Sequence, residues 1–169
     1  MWWDLAAFCG IMVLGQLTPG PDWVVMTRGA LVGGFRSAVW TATGIACGLM
    51  VHAALAVGGL AVYMRKSEEI WGGLRWLAAL YLLWIAFQMV RAGRLPEQEE
   101  AGWDARRPFM RGLLCNLLNP KVCLFLASVC AYYVQGERPP AWPVVLWGAI
   151  VIQGWLVWVA WAAMLQVKS

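Results

Sequence analysis

Two short polar interruptions carry the chemistry of an otherwise apolar chain, Leu17-Thr18-Pro19-Gly20-Pro21-Asp22 and, further along, Asn116-Leu117-Leu118-Asn119-Pro120-Lys121. A helix cannot run through either, because proline lacks the backbone donor and its ring clashes one turn back. Such a break exposes N–H groups at the start of the following half-helix, which attract an anion. It also exposes carbonyls at the end of the preceding half, which attract a cation or an ammonium group. Asp22 adds a carboxylate that can meet an ammonium or carry a proton, or can N-cap the helix continuing through Trp23 to Thr27. Lys121 adds a cation that can meet a carboxylate of a ligand, form a salt bridge to Asp22 or a loop acid, or snorkel to the cytoplasmic face. Asn116 and Asn119 can bond a ligand or satisfy the backbone that Pro120 frees, and for Asn119 the second account is the safer. Thr18, Pro19, Gly20, Pro21, Asp22, Asn116, Asn119, Pro120 and Lys121 are the candidate binding residues.

Elsewhere the signals are sparser. Ser37, Thr41, Gly44, Gly48, His52 and Gly59 fall on one helical face, whose small residues suit the close approach of another helix. His52, the single histidine, lies on that face. It is either a hydrogen-bonded packing residue or, with Asp22, a member of a proton relay, since free imidazole titrates near pH 6.5. Tyr81, Trp84, Gln88 and Arg91 form another stripe, and Gln153 stands alone inside an apolar run, either bonding a neighbouring helix or lining a cavity. Cys9, Cys47, Cys115, Cys123 and Cys130 include no C-x-x-C and read as reduced small hydrophobes. Cys123 and Cys130 could share a helix face, but without further ligands they make no metal or redox site. No nucleophile with a base, metal triad or carboxylate pair stands out, so no enzyme and no cofactor are expected.

These residues must be positioned by elements suited to lipid. The 169 residues are 62% hydrophobic and 13% charged, with a mean hydropathy of +0.63. A soluble domain carries about 25% charged residues, which disfavours soluble enzymes, nucleic-acid binders and disulfide scaffolds. The net charge of +4 is no argument for nucleic acid, because the basic residues flank apolar runs without forming a stripe. Of the tryptophans, Trp2, Trp3, Trp40, Trp71 and Trp142 are interfacial by position, whereas Trp84, Trp155 and Trp158 fall inside apolar runs.

Apolar runs cover 5–27, 38–62, 70–90, 112–134 and 142–166, each near the ~20 residues that a helix needs to cross the hydrocarbon core. The expectation is an all-α membrane protein, one membrane domain over 1–169 with five transmembrane helices, of which the first and fourth are broken. The N-terminal stretch reads as the first span and not as a cleaved signal peptide. An outside N-terminus leaves Arg28, Arg36, Arg91, Arg94, Arg106, Arg107, Arg111 and Lys168 inside, against Arg65, Lys66, Arg75 and Arg138 outside. That bias makes 91–111 a cytoplasmic loop. It also carries Glu97, Glu99, Glu100 and Asp104 and reads as a solvated connector.

Setting Pro19 against Pro120 places a polar residue just before each proline and a charged residue within three positions after it. With spans one to three in a first repeat, 1–90, a second repeat over 112–169 is inverted, and it ends one helix short of a three-plus-three pattern. Inverted repeats with matching broken helices point to a transporter site.

The Thr-Pro-Gly-Pro-Asp motif, the glycine-rich second span, Tyr81-Leu82-Leu83-Trp84 and Asn-Leu-Leu-Asn-Pro-Lys occur in one order over nearly the whole chain. Together they resemble the lysine-exporter (LysE/RhtB) family of bacterial amino-acid exporters. The resemblance implies a multi-pass inner-membrane protein that moves amino acids or their analogues outward, driven by protons. Its partners are then an amino acid, protons and the lipid bilayer, with a homo-oligomer left open. The family's six spans exceed the five expected here, so a truncated chain, a partner filling the gap and an open face are the alternatives. Two other functions stay in view. A metal-cation exporter would need clustered Asp, His and thiol ligands, and a non-transporting membrane subunit would use the small-residue faces for assembly.

Overall fold

The structure, a computed structural model, describes residues 2–59, 107–135 and 137–166, together with Trp76, Leu80 and Leu83. The regular elements among them are helical. Helix α1 (Trp2–Leu17) stops at the Thr18-Pro19 break, and α2 (Pro21–Ala54) starts on a proline and widens into a π-helical turn, Leu55–Gly59. After the connecting region come α3 (Pro108–Leu117), α4 (Pro120–Tyr133) and α5 (Trp142–Gln166).

The run Pro21–Gly59 has 39 residues, which as a straight helix would measure about 58 Å against a hydrocarbon core of about 30 Å. It does not run straight. Along α5, Trp147 Nε1 donates to the Met50 carbonyl at 3.1 Å and Trp155 Nε1 to Thr43 Oγ1 at 3.2 Å. Further on, Trp161 Nε1 donates to Thr27 Oγ1 at 3.1 Å and Gln166 Nε2 to the Ala30 carbonyl at 2.7 Å. The partners fall in number and then rise, so the part of α2 after Gly34 is antiparallel to α5 and the part before it is parallel. Gly34, at φ 70°, makes the reversal in a region that side chains with a Cβ disfavour. The sequence placed a connector between 27 and 38, but helix extends to both sides of this one residue.

Among the described residues, two helical runs, Pro21–Gly59 and Trp142–Gln166, are long and apolar enough to cross a membrane. The α3–α4 pair, bent by 58°, adds a third if it counts as one broken span, while α1 is apolar but shorter. The expected span 70–90, with Tyr81, Trp84, Gln88 and Arg91, lies outside the described residues, as does the loop from 91 to 106. Only Trp76, Leu80 and Leu83 of that span are described, and all three are helical and exposed. Their i, i+4, i+7 spacing suits a lipid-facing helix stripe.

Apolar side chains gain little by leaving lipid for protein, so close approach and interhelical hydrogen bonds must hold the bundle. A Cβ on Gly44 would strike the Phe109 carbonyl, and one on Gly112 would strike the Thr41 carbonyl. The small-residue face of the second span therefore seats α3 backbone to backbone. Gly15 does the same for α1, accepting the Phe125 ring of α4, and Phe8 meets Tyr133 with ring centroids 5.1 Å apart.

Near the other end of that pair, Arg138 bonds Asp4 at 2.6 Å, and the guanidinium holds the Asp4 carboxyl below the usual carboxylate range. Trp142, read as interfacial, is only 3% exposed because its indole N–H donates to the Tyr133 carbonyl under Arg138. Trp2 and Trp3 are exposed.

Candidate functional site

The two breaks meet in the interior. Each second half-helix opens on a proline at its first position, where the missing N–H costs nothing. Gly20 is the N-cap of α2 and Asn119 that of α4. Counted from the helix start, Gly20 corresponds to Asn119, Pro21 to Pro120 and Asp22 to Lys121. The sequence sets Pro19 against Pro120, but Pro19 lies within the break and Pro21 begins the helix.

Asp22 and Lys121 each reach across to the other broken pair. Asp22 does not cap its own helix, since Gly20 holds that place, and its Oδ2 accepts from Asn116 Nδ2 at 2.7 Å. Lys121 neither snorkels nor, among the described residues, forms a salt bridge to Asp22. Its Nζ donates to the Thr18 carbonyl at 2.8 Å and the Gly15 carbonyl at 3.3 Å. A cation there answers the negative end of the α1 dipole and the carbonyls that the break frees. Those carbonyls, which the sequence offered to an ammonium ligand, are thus occupied by the chain's own ammonium.

The asparagines divide their work. Asn119 Oδ1 accepts from the Lys121 backbone N–H at 3.1 Å, which is the backbone-satisfying role expected of it. Asn116 is fully buried, with its Oδ1 so placed that a Cβ on Gly48 would lie 2.5 Å away. Its main-chain carbonyl accepts from the Asn119 N–H at 3.0 Å and lies 3.0 Å from His52 Nε2. His52 therefore packs directly behind the second break. Buried atoms without a partner gather here, namely Asp22 Oδ1, Asn116 Oδ1 and His52 Nδ1, with Gln16 Nε2 and Gln153 Oε1 nearby on α1 and α5.

Between the breaks lies a cavity of about 40 Å³, room for about three waters. Thr18, Gly20, Asp22, Asn119 and Lys121 form its polar side, with Gln16, and Trp23, Phe125 and Trp158 its apolar side. A carboxylate and an ammonium facing one small volume complement a zwitterion, and flat apolar walls suit a side chain. Asn116 and His52 stand behind the wall, and Pro19, Pro21 and Pro120 shape the backbone.

Gln16 escaped the sequence reading, although an amide inside an apolar run just before the Thr-Pro break was a usable signal. Trp23, Phe125 and Trp158 had none that set them apart from other aromatics. Gln153 takes the interhelical role, its Nε2 donating to Gln16 Oε1 at 3.2 Å.

The cysteines are free, Cys123 exposed and Cys130 buried, so these two do not share a common environment. Among the described residues no group of three His, Cys, Asp or Glu side chains is placed to hold a metal ion.

Residues 13–167 match the family described as LysE type translocator. The chain is 30% identical over 153 residues to the uncharacterized membrane protein YahN of Escherichia coli, covering 88% of this chain and 68% of that one. It is 31% identical over 131 residues to the threonine efflux protein of Salmonella typhi, covering 73% and 63%. It is also 31% identical to the homoserine/homoserine lactone efflux protein of Salmonella typhimurium, covering 82% and 67%. The chain thus spans about two thirds of the length of these relatives, slightly less for the threonine efflux protein. No solved structure matches it. On a match that extends over most of its length, the chain belongs to the LysE type translocator family.

Proposed function

We propose that this protein exports amino acids or their close analogues across the bacterial inner membrane, with threonine and homoserine, the substrates named in two relatives, as the first to test. The observation that carries the reading is the convergence of Asp22 and Lys121, from two broken helices, on one small cavity. The ammonium of the substrate pairs with Asp22 and takes over the Thr18 and Gly15 carbonyls. Lys121 leaves those carbonyls for the substrate carboxylate, which the α4 N-terminus also favours. The present cavity holds only a few waters, so entry requires the half-helices to part, as alternating access about the breaks demands.

The matched proline-started half-helices support a three-plus-three inverted repeat, with proton exchange driving export and the N-terminus on the outer side. The test is counterflow of labelled threonine and homoserine in proteoliposomes. Exchange is expected for the unaltered chain and is lost in Asp22→Asn. Counterflow that survives Asp22→Asn unchanged removes Asp22 from the mechanism.

A further inference from the structure

We propose that the cleft where α3 and the second half of α2 begin side by side binds the phosphate group of an anionic lipid. This site is separate from the cavity between the breaks and does not depend on what the protein exports. It follows first from the direction of two helices. A Cβ on Gly44 would strike Phe109, and one on Gly48 would strike Asn116. The contacts rise together in number, so α3 runs parallel to the part of α2 after Gly34. Their N-termini therefore lie at the same end, and two positive dipole ends side by side call for a negative charge between them.

The residues that line this end supply none. Helical dihedrals resume after Gly34, so Phe35, Arg36 and Ser37 form a first turn whose N–H groups have no acceptor in their own half of the helix. At α3 the N-cap is Arg107 and the first residue is Pro108, and no side chain caps the end. Between them opens a cleft of about 660 Å³, with Arg36, Ser37 and Trp40 on one side, Arg107, Phe109 and Met110 on the other, and no acid among the described residues that line it. Neither guanidinium forms an ion pair among the described residues.

Ser37 separates a built site from a basic edge. It is 9% exposed, and its Oγ has no partner. Thr18, Thr41, Thr43 and Ser128 each return the hydroxyl hydrogen to the carbonyl one turn back. For Ser37 that carbonyl belongs to Gly33, on the far side of the Gly34 reversal, and the bond is absent. The hydroxyl turns about a single bond and is free to donate into the cleft.

Two guanidiniums, a hydroxyl and two sets of helix N–H groups are all donors. A phosphate group, whose oxygens accept from several directions at once, matches that set better than a carboxylate does. Phe35, Trp40 and Met110 expose apolar surface here, which suits the acyl end of a lipid and offers nothing to free phosphate. Basic pockets between helices on the cytoplasmic side take lipid headgroups in this way, and the basic residues around 28–36 and 106–111 are expected on that side.

The test is native mass spectrometry of the full chain in detergent, with phosphatidylglycerol, phosphatidylcholine and inorganic phosphate as the probes. Phosphatidylglycerol is expected to bind at least about tenfold more tightly than phosphatidylcholine. Arg36→Gln and Arg107→Gln should each weaken it about tenfold, the worth of one bond to a charged group. Ser37→Ala changes no charge and breaks no existing bond, and should weaken it about threefold. Arg28→Gln removes a basic residue that does not line the cleft and should change binding less than about twofold, as expected of an exposed charge outside the site.

Equal binding of the two lipids by the unaltered chain overturns the proposal, and that measurement needs no variant to fold. Inorganic phosphate displacing phosphatidylglycerol at equal concentration overturns the lipid as the occupant. Binding untouched by Ser37→Ala, or weakened as much by Arg28→Gln as by Arg36→Gln, reduces the cleft to a basic edge and overturns the proposal too.

Discussion

The two breaks share a backbone design and differ in how their ends are closed. At the second, Asn119 caps its own helix, and the Asn116 carbonyl near the end of α3 is answered by His52 and the Asn119 N–H. At the first, Gly20 offers no side chain, so the N-terminus of α2 has no side-chain cap. The carbonyls of α1 are answered by Lys121, and Asp22 by Asn116, both from the second break. If the halves part, the second break keeps its own cap and the Asn119 N–H bond but loses His52, whereas the first loses both side chains that answer it. The first break is then the one prepared to receive a ligand in their place.

The largest expected effect comes from cutting the bond on which Asp22 depends. Asn116→Leu leaves a buried carboxylate without its donor, at a cost of about 3 kcal/mol, and abolishes counterflow. Thermal unfolding in detergent checks the first and threonine exchange the second. Lys121→Met removes the two ammonium bonds to the α1 carbonyls and is expected to cost about 2 kcal/mol. A Lys121→Met protein less stable than Asn116→Leu would reverse the ranking and show that the carbonyls, not the carboxylate, dominate the crossing.

Asn119→Ala tests the self-sufficiency of the second break. Loss of a side-chain cap costs about 1 kcal/mol, and because the cap bond lies within α4, His52 should keep its environment. The nitrogen-15 imidazole signal of His52 serves as the reporter. A large change of that signal would show that the cap acts beyond its own helix.

The breaks themselves were legible because proline acts through covalent geometry, which no tertiary context removes. So was a close approach at Gly44 and Gly48, though not that α3 makes it, because a missing Cβ matters only where something comes close. What stayed hidden was everything decided by direction. Lys121 had three plausible partners, and only the fold shows that its ammonium turns to the α1 carbonyls. Asp22 resembled an N-cap because its place in the motif suits one, yet Pro21 already starts the helix a residue earlier. The turn at Gly34 falls in the gap between the runs 5–27 and 38–62, but a single left-handed glycine leaves no compositional trace. The burial of Trp142 stayed hidden too, because its sequence position is indifferent to whether a carbonyl waits for its indole.

The smallest effect bears on why Gly20 is a glycine. Its φ of −179° and ψ of −176° are extended values open to any residue, so the backbone does not demand glycine there. An added Cβ would come no nearer than 3.4 Å to Lys121, an ordinary contact. Serine at this N-cap could accept from the first N–H groups of α2 and should stabilise the protein by about 0.3 kcal/mol. The same hydroxyl narrows the cavity that Gly20 lines and holds α2 in its present arrangement against the opening that exchange requires. Gly20→Ser should therefore raise the unfolding temperature slightly while slowing counterflow. A destabilised Gly20→Ser protein would instead trace the glycine to a backbone requirement, and a stabilised one with undiminished exchange would remove the first break from the motion.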